Sequence, residues 1–574
     1  MIAEPAGGCG IHGAGLQTQN AKDNKAAGQP KRTAGPKRPS HYTGHQKQRK
    51  QTANQGRCTA AYIRAQKDKL MQSVRGPQPD LALDSFFTDM SALCSRSASC
   101  IDHTHLNAIL GAIAKAWTPA WAGLGQQKQQ QARHQMHAFL TKMLQKLQPL
   151  LSDVGAMEAA NLLWSSAKLG VDPHALVPGM TDSLACQFMA DMDAATGQGF
   201  ANVLVACAKL QLSPCQGGLF KAILNRLATA DLSKFDPQNV ANTLHSLVAL
   251  PAAAPSIEVL YALCKRFRSL LSSRHTCELP DAQSIANTMW ALRELRHAPT
   301  DELGMCMVGR MVALSRMPGQ QPTPQAISSV LLACAELTLP VKQADIDGLA
   351  SFLLSTDRQR VFKQHYANTA WSLAVLGHLR EAQLELLLDQ LLASSISRRE
   401  LSGPSLLEDV DLRQLYPALE WLQPPQNATI QQGKAWLKLK GKLNRLGSRP
   451  ACNTDPHPGA QLICSALTQL SVHFNATPAI SGYRTAAVLE STGSGAAIVV
   501  AFESKTCLKN KPSRLIGSEG FRQQILKRRG ELVLLAPPRA GVGVNEVAEY
   551  LEPILTAAAG GSLDAYRRRL QIKA

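Results

Sequence analysis

The chain has 574 residues, of which 45% are hydrophobic and 5% aromatic, and it carries a formal net charge of +19. That is enough chain for several ordinary domains or one long repeat array, and its shortage of aromatic residues favours helices over sheet. No apolar run is long enough for a transmembrane helix, and the 14 cysteines are scattered singly, without a Cys-x-x-Cys pair or a Cys/His cluster at zinc spacing. Free thiols in a reducing compartment follow, used as small hydrophobes at Cys207 and Cys334, and neither a metal nor a cofactor is expected.

The charge is uneven. Residues 1–75 hold 14 Lys/Arg against 3 Asp/Glu, and residues 501–574 hold 13 against 7, so the long middle is close to neutral. A basic chain points to a polyanionic partner, but in the middle of this one bulk charge cannot supply the attraction. The first 75 residues are rich in Gly, Pro, Gln and Lys/Arg and nearly lack large apolar side chains, so they cannot offset the entropy of ordering. They are expected to be a disordered basic arm, either an organelle transit peptide or a tail that binds nucleic acid.

A repeat follows. Aligned on Asn161, Asn202, Asn242, Asn287, Ser329 and Asn368, six copies are spaced by 41, 40, 45, 42 and 39 residues. Eight positions after the anchor stands Leu169, Leu210, Leu250, Leu295, Leu337 or Leu376; four after stands a small residue, Ser165, Ala206, Ser246, Ala291, Ala333 or Ser372. An earlier degenerate copy lies in HLNAILGAIAKAW, aligned on Ala114-Lys115. Apolar residues recur two before, two after, five after and eight after the anchor, which is one stripe of a helix. The copies open with helix-start chemistry, as in DPQN, LPDAQ and TPQ, and a second apolar segment such as SIEVLYALCKRFRSLL completes each unit. A helix pair of about 40 residues cannot close its own core, and stacking neighbours does so.

The opposite face of the first helix is polar and in register. Four before the anchor stand Gln198, Gln238, Gln283, Gln325 and Gln364; three after stand Trp164, Val205, His245, Trp290, Leu332 and Trp371; seven after stand Lys168 and Lys209 in the first two copies. Amides there suit base edges or phosphates, and aromatics suit base stacking. The competing reading has Gln capping the helix, Asn bonding the next repeat and Trp filling the seam. Three before the anchor the residue varies, with Glu158, Gly199, Asn239, Ser284, Ala326 and His365, as a base-reading position or an unconstrained surface position would.

The pattern PQ-x-(I/V/Y)-A-N-x-x-W-x-L-A-x-L resembles the octotricopeptide repeat over roughly residues 100–400. That resemblance implies a right-handed α-solenoid that binds particular single-stranded organellar transcripts, in the chloroplast or alternatively the mitochondrion, and supports their stability, splicing, processing or translation.

Residues 403–460 read as an irregular linker around the basic segment KAWLKLKGKLNRLGSR. From Gln461 the pattern is mixed: a helix in QLICSALTQLSVHF, strands in GYRTAAVLE and AAIVVAFES, a helix in GSEGFRQQILKRRG, a strand in ELVLLAP and a closing helix in VNEVAEYLEPILTAAA. This order resembles the RAP domain, which implies a small α/β fold similar to restriction endonucleases, set at the end of helical-repeat proteins of organelle RNA metabolism. Lys505, Arg522, Lys527, Arg528 and Arg529 are the residues expected to meet RNA, and other RNA-processing proteins are possible partners. A nuclease is the alternative. Glu503-Ser504-Lys505 has the Glu-x-Lys form that holds a metal, with Glu490 upstream, but Ala486 stands where the RAP pattern has an Asp. A second alternative is a helical scaffold for proteins. The expected organisation is a basic arm over 1–75, a mainly α array over 76–402, a linker over 403–460 and an α/β domain over 461–574, acting as a binding protein and not as an enzyme.

Overall fold

Each copy of the repeat opens at the same place. Helices begin at Ala156, Gly197, Pro237, Ala282, Pro324 and Lys363, five residues before their anchors. The residue before each is the cap: Asp236 and Asp281 accept from the N–H groups of Asn239 and Ser284, both at 2.7 Å, and Thr196 and Thr323 accept from Gly199 and Ala326 at 3.3 and 3.1 Å. Nine residues after the anchor the backbone turns left-handed, at Gly170 (φ 69°), Gln211 (50°), Arg296 (52°), Thr338 (50°) and Gly377 (75°). The next N–H, of Val171, His297, Leu339 or His378, returns to the carbonyl of Ser166, Leu292, Cys334 or Leu373 at 2.8–3.0 Å. This is a Schellman ending, repeated down the chain directly after the leucine column.

The structure, a computed structural model, describes residues 59–74, 79–96, 101–122, 126–211, 218–229, 231–250, 255–357, 361–396, 409–423, 430–446 and 458–470, and in the tail 472, 474, 479–480, 483–484, 487–489, 498–502, 507–527, 531–535 and 544–558. In chain order the helices are α1 (59–73), α2 (Pro79–Arg96), α3 (His103–Ala122), α4 (Gln126–Leu147), α5 (Ala156–Leu169), α6 (Pro173–Leu176), α7 (Met180–Ala190), α8 (Gly197–Leu210), α9 (Leu219–Thr229), α10 (Pro237–Val248), α11 (Ile257–Leu271), α12 (Ala282–Glu294), α13 (Asp301–Ser315), α14 (Pro324–Glu336), α15 (Gln343–Ser355), α16 (Lys363–Val375) and α17 (Glu381–Ile396). Then come α18 (Asp409–Trp421), α19 (Ile430–Leu446) and α20 (Pro458–Gln469). None of the described helices is long and apolar enough to cross a membrane.

The helices stack in two layers. Anchor-bearing helices pack side by side in the order α3, α5, α8, α10, α12, α14, α16, α18, and their partners α9, α11, α13, α15, α17 and α19 form the second row. The stripe columns are the core between the layers: two residues after the anchor, Leu163, Leu204, Leu244, Met289, Leu331 and Ala370 are fully buried. The small column is as deeply buried, which lets neighbouring helix backbones approach. Of the leucine column, Leu169, Leu295 and Leu337 are buried, while Leu210, Leu250 and Leu376 are partly buried and pack on the same core. Leu295→Ala should lower the stability of the array by about 2–5 kcal/mol in urea unfolding; a loss within error would place this column outside the core.

Three expectations change. Residues 59–73, assigned to a disordered arm, form α1, with Ile63 and Leu70 buried; the remainder of the arm lies outside the described residues. The supposed linker carries α18 and α19, which stack on α16 and α17 as a further repeat. Anchored at Gln414, it has Leu412, Tyr416 and Leu419 in the stripe and Ala418 in the small column, all buried. The degenerate first copy, α3, is capped by Asp102, which accepts from the N–H of His105 at 3.0 Å. Its anchor is therefore Ala108, two turns before Lys115, and Lys115 belongs seven after the anchor.

The tail is a small α/β module. Strands β1 (Ala479–Ile480) and β2 (Tyr483–Arg484) form a short hairpin. Strand β3 (Ala487–Leu489) pairs antiparallel with β4 (Ile498–Phe502), and β4 pairs parallel with β7 (Glu531–Leu535). Between β4 and β7 lie a hairpin of β5 (Cys507–Leu508) and β6 (Lys511–Leu515), which the sequence did not announce, and helix α21 (Gly517–Lys527). The closing helix is α22 (Val544–Ala558). Ile463, Leu467, Leu489, Val500 and Leu551, from α20, α22 and the sheet, share one core. Leu508, Phe521 and Ile525 belong to the core of the array instead.

Candidate functional site

The outward face of the anchor-bearing layer is where the polar columns fall. Gln198, Gln238, Gln283, Gln325 and Gln364 are all exposed, and Asn161, Asn202, Asn242 and Asn287 are half-buried beside them. Neighbouring repeats are joined along this face: Asn202 Nδ2 donates to Asn161 Oδ1 at 3.0 Å, and the His245 and Trp290 rings stack with centroids 4.6 Å apart. Within one helix, Gln283 Nε2 donates to Asn287 Oδ1 at 2.7 Å. The anchors thus serve in part as inter-repeat bonds, while the glutamine column stays open to solvent.

The variable column is placed differently from expectation. Asn239, Ser284 and His365 are buried, as are Gly199 and Ala326; only Glu158 is partly exposed. These residues stand in the first turn, on the side that the preceding anchor-bearing helix covers. A Cβ on Gly199 would lie 3.7 Å from Met157 Sδ and from the Phe188 ring. Asn239, Ser284 and His365 therefore cannot meet a base in this conformation. His365 has a local duty instead: its Nδ1 accepts from the Phe362 N–H at 3.2 Å, and burial lowers its pKa to about 4.

Seven after the anchor the column changes character along the stack. It reads Lys115, Lys168, Lys209 and Ala249, then Glu294, Glu336, Val375 and Trp421. Among the described residues the three lysines make no ion pair, and desolvation lowers the pKa of each, with Lys67 adding to the effect at Lys115 and Lys168 at Lys209. The pKa of His245 is lowered too, by burial and then by Lys209, at the ring that stacks on Trp290.

In the second half of this layer the tail covers the C-terminal halves of the helices, while Gln283, Gln325 and Gln364 near their N-termini stay exposed. Lys509 donates its N–H to the Arg296 carbonyl at 2.8 Å, and Asn510 bonds both the N–H and the carbonyl of Ala298, at 2.9 and 2.7 Å. Lys511 Nζ lies 3.5 Å from Asp301 Oδ1. Helix α21 packs on α14, α16 and α18. The Ser518 N–H and hydroxyl both donate to Glu336 Oε2, at 3.0 and 2.9 Å, and burial raises the Glu336 pKa. Gly517 makes the approach feasible, since a Cβ there would fall 1.9 Å from the Ala335 carbonyl oxygen. Phe521 then fits between Trp371 and Trp421, with centroids 6.3 and 5.5 Å away. Trp371, expected as a stacking residue, is buried beneath it.

Arg522 also needs correction. Its guanidinium pairs with Glu519 at 2.6–3.0 Å inside the docked surface, and both side chains are largely buried. It stabilises α21 rather than facing outward. Lys505, Arg528 and Arg529, the Lys527 side chain, and Glu490 and Glu503 of the nuclease alternative lie outside the described residues. Among the described residues, no three His, Cys, Asp or Glu side chains converge as a metal site.

A comparison with protein-family models gives no match, and a comparison with curated proteins gives none either. The functional reading therefore rests on the residues themselves.

Proposed function

We propose that the chain is an organellar single-stranded RNA-binding protein, of the chloroplast or alternatively the mitochondrion, acting on transcripts after their synthesis. The observation that carries this reading is the side-by-side stacking of the anchor-bearing helices, which sets five glutamines in register on one exposed face. Amides with half-exposed aromatic rings beside them and lysines that lack acidic partners among the described residues are what single-strand recognition uses: hydrogen-bonding groups for edges, flat rings for stacking and cations for phosphates. The resemblances to the octotricopeptide repeat and to the RAP domain support the same reading. The tail then serves as a docked partner of the array, and the protein binds RNA without cleaving it.

Crosslinking the protein to RNA in the organelle and sequencing the bound fragments tests this directly. Recovery of a few defined single-stranded segments is expected; recovery no greater than from an uncrosslinked control would favour a scaffold for proteins. With magnesium or manganese, purified protein should not cleave RNA at a rate sensitive to Glu503→Ala. Cleavage abolished by that change in a folded protein would establish the nuclease instead.

A further inference from the structure

The face that carries the exposed glutamines has two unlike halves. It presents Lys115 in the middle of α3 and Lys168 and Lys209 in the last turns of α5 and α8, without acidic partners among the described residues. From α12 onward the same column holds no lysine but Glu294, Glu336, Val375 and Trp421, and there the chain's own tail lies against the C-terminal halves of the helices. The tail bonds Arg296, Ala298 and Glu336 and buries Trp371. At the border, the His245 ring stacks on Trp290, which remains half-exposed.

We infer that the phosphate track is confined to the first half of the array, with Lys115, Lys168 and Lys209 following the phosphates and the His245–Trp290 pair ending the path, and that the docked tail closes the C-terminal halves of the later helices, where this column continues. This rests on the RNA-binding reading and deepens it. Three observations converge. Successive anchor-bearing helices lie about 8–10 Å apart, so the lysines form a row that an extended strand can follow from helix to helix. The aromatic pair supplies a flat surface at the end of the row, which single-strand binders combine with a cationic groove and an acidic protein segment does not require. Beyond the pair the column offers no cation: Glu294 is paired with Arg293, and Glu336 is occupied by Ser518. An acidic protein partner fits the lysines alone but leaves the aromatic border unexplained.

The test uses the full chain and single-stranded RNA of randomised sequence, about 16 nucleotides long, the upper end of common site sizes. Lys115→Gln, Lys168→Gln and Lys209→Gln are combined in one variant. The control combines Lys142→Gln, Lys221→Gln and Lys265→Gln, exposed lysines on α4, α9 and α11 in the other layer. The first variant should bind at least about tenfold more weakly, and its dependence of log affinity on log salt should be shallower by about 2, as expected for three lost phosphate contacts on a single strand. The control should match the wild type. Hydrogen exchange with RNA bound should slow around Lys115 in α3 and at the C-terminal ends of α5, α8 and α10, and stay unchanged over 296–301 and 336–339.

Equal losses in both variants, or protection over 296–301 and 336–339, would overturn the confined track while leaving RNA binding in place. Competition by poly-glutamate as effective as by RNA would overturn it in favour of an acidic protein partner. Wild-type protein that binds no RNA even at low salt removes the RNA-binding reading itself, and the track with it.

Discussion

Phe521→Ala is expected to release the tail from the array at a cost of about 3–5 kcal/mol, the usual range for removing a buried aromatic side chain. The ring is almost fully buried and touches Trp371 and Trp421, which belong to two different repeats. The remaining ties are the hydrogen bonds at the β5–β6 hairpin and at Ser518, the Lys511–Asp301 ion pair, and the buried side chains of Leu508 and Ile525. Each hydrogen bond contributes about 1 kcal/mol net, and none of these contacts bridges two repeats through a pair of tryptophans as the Phe521 ring does. The tail should stay folded, because α20, α22 and the sheet have their own core, and so should the array. The expected signature is local: Trp371 becomes accessible to a fluorescence quencher, and exchange speeds up over 296–301, while overall helicity is kept. Unchanged quenching and exchange in the variant would mean that α21 is held by something other than this ring.

Mild acid should loosen the array through two histidines. His297 and His365 are buried, and burial lowers the pKa of each to about 4 from an ordinary value of 6.5. Both are depressed bases, so the folded state binds fewer protons than the unfolded state across this interval. Their stabilising neutral forms hold above pH 6.5, and stability falls as pH drops from there toward 4. The loss at pH 5 is about 2 kcal/mol for each histidine. His297 follows the left-handed Arg296, where other repeats place Val171 and Leu339, and its Nδ1 has no hydrogen-bond partner among the described residues. His365 would lose its acceptance from Phe362 on protonation. Glu336 acts in the opposite direction, because its raised pKa favours the docked tail at lower pH. His297→Leu should therefore flatten the fall in urea midpoint between pH 7 and pH 5 and raise stability at both. An equal fall in the variant would assign the acid sensitivity elsewhere.

What could be read in the sequence follows from how strongly each feature is constrained. The small column and the stripe columns two before, two after and five after the anchor were legible because they are buried in every repeat, so only a few residue types fit. The repeat at α18 was hidden by Pro417 and by Arg413 in place of the usual Ala. Proline three after the anchor sits away from the apolar stripe, and the stripe of Leu412, Tyr416 and Leu419 survives it. The register of α3 slipped by seven residues because that shift is nearly two whole turns and reproduces the same apolar stripe. The variable column was read as open surface because a helical wheel considers one helix alone, whereas here the neighbouring helix covers the first turn. The engagement of Arg522 was within reach: Glu519 stands three residues before it, the spacing of a helical ion pair. The docking itself was not, since nothing local in Lys509, Asn510 or Ser518 says that its partner lies about two hundred residues earlier.

That distance bears on how the protein is made. Helices of the array meet their neighbours within a few dozen residues, so they can pack as they leave the ribosome. The hairpin and α21 emerge only after all of them, and until then Trp371 and Trp421 stand without Phe521. A growing chain, or one truncated after α19, thus displays a two-tryptophan patch that the finished protein hides. Such a patch is the kind of apolar surface that chaperones and proteases detect, so the hairpin and α21, made after the array, also remove a mark of incompleteness.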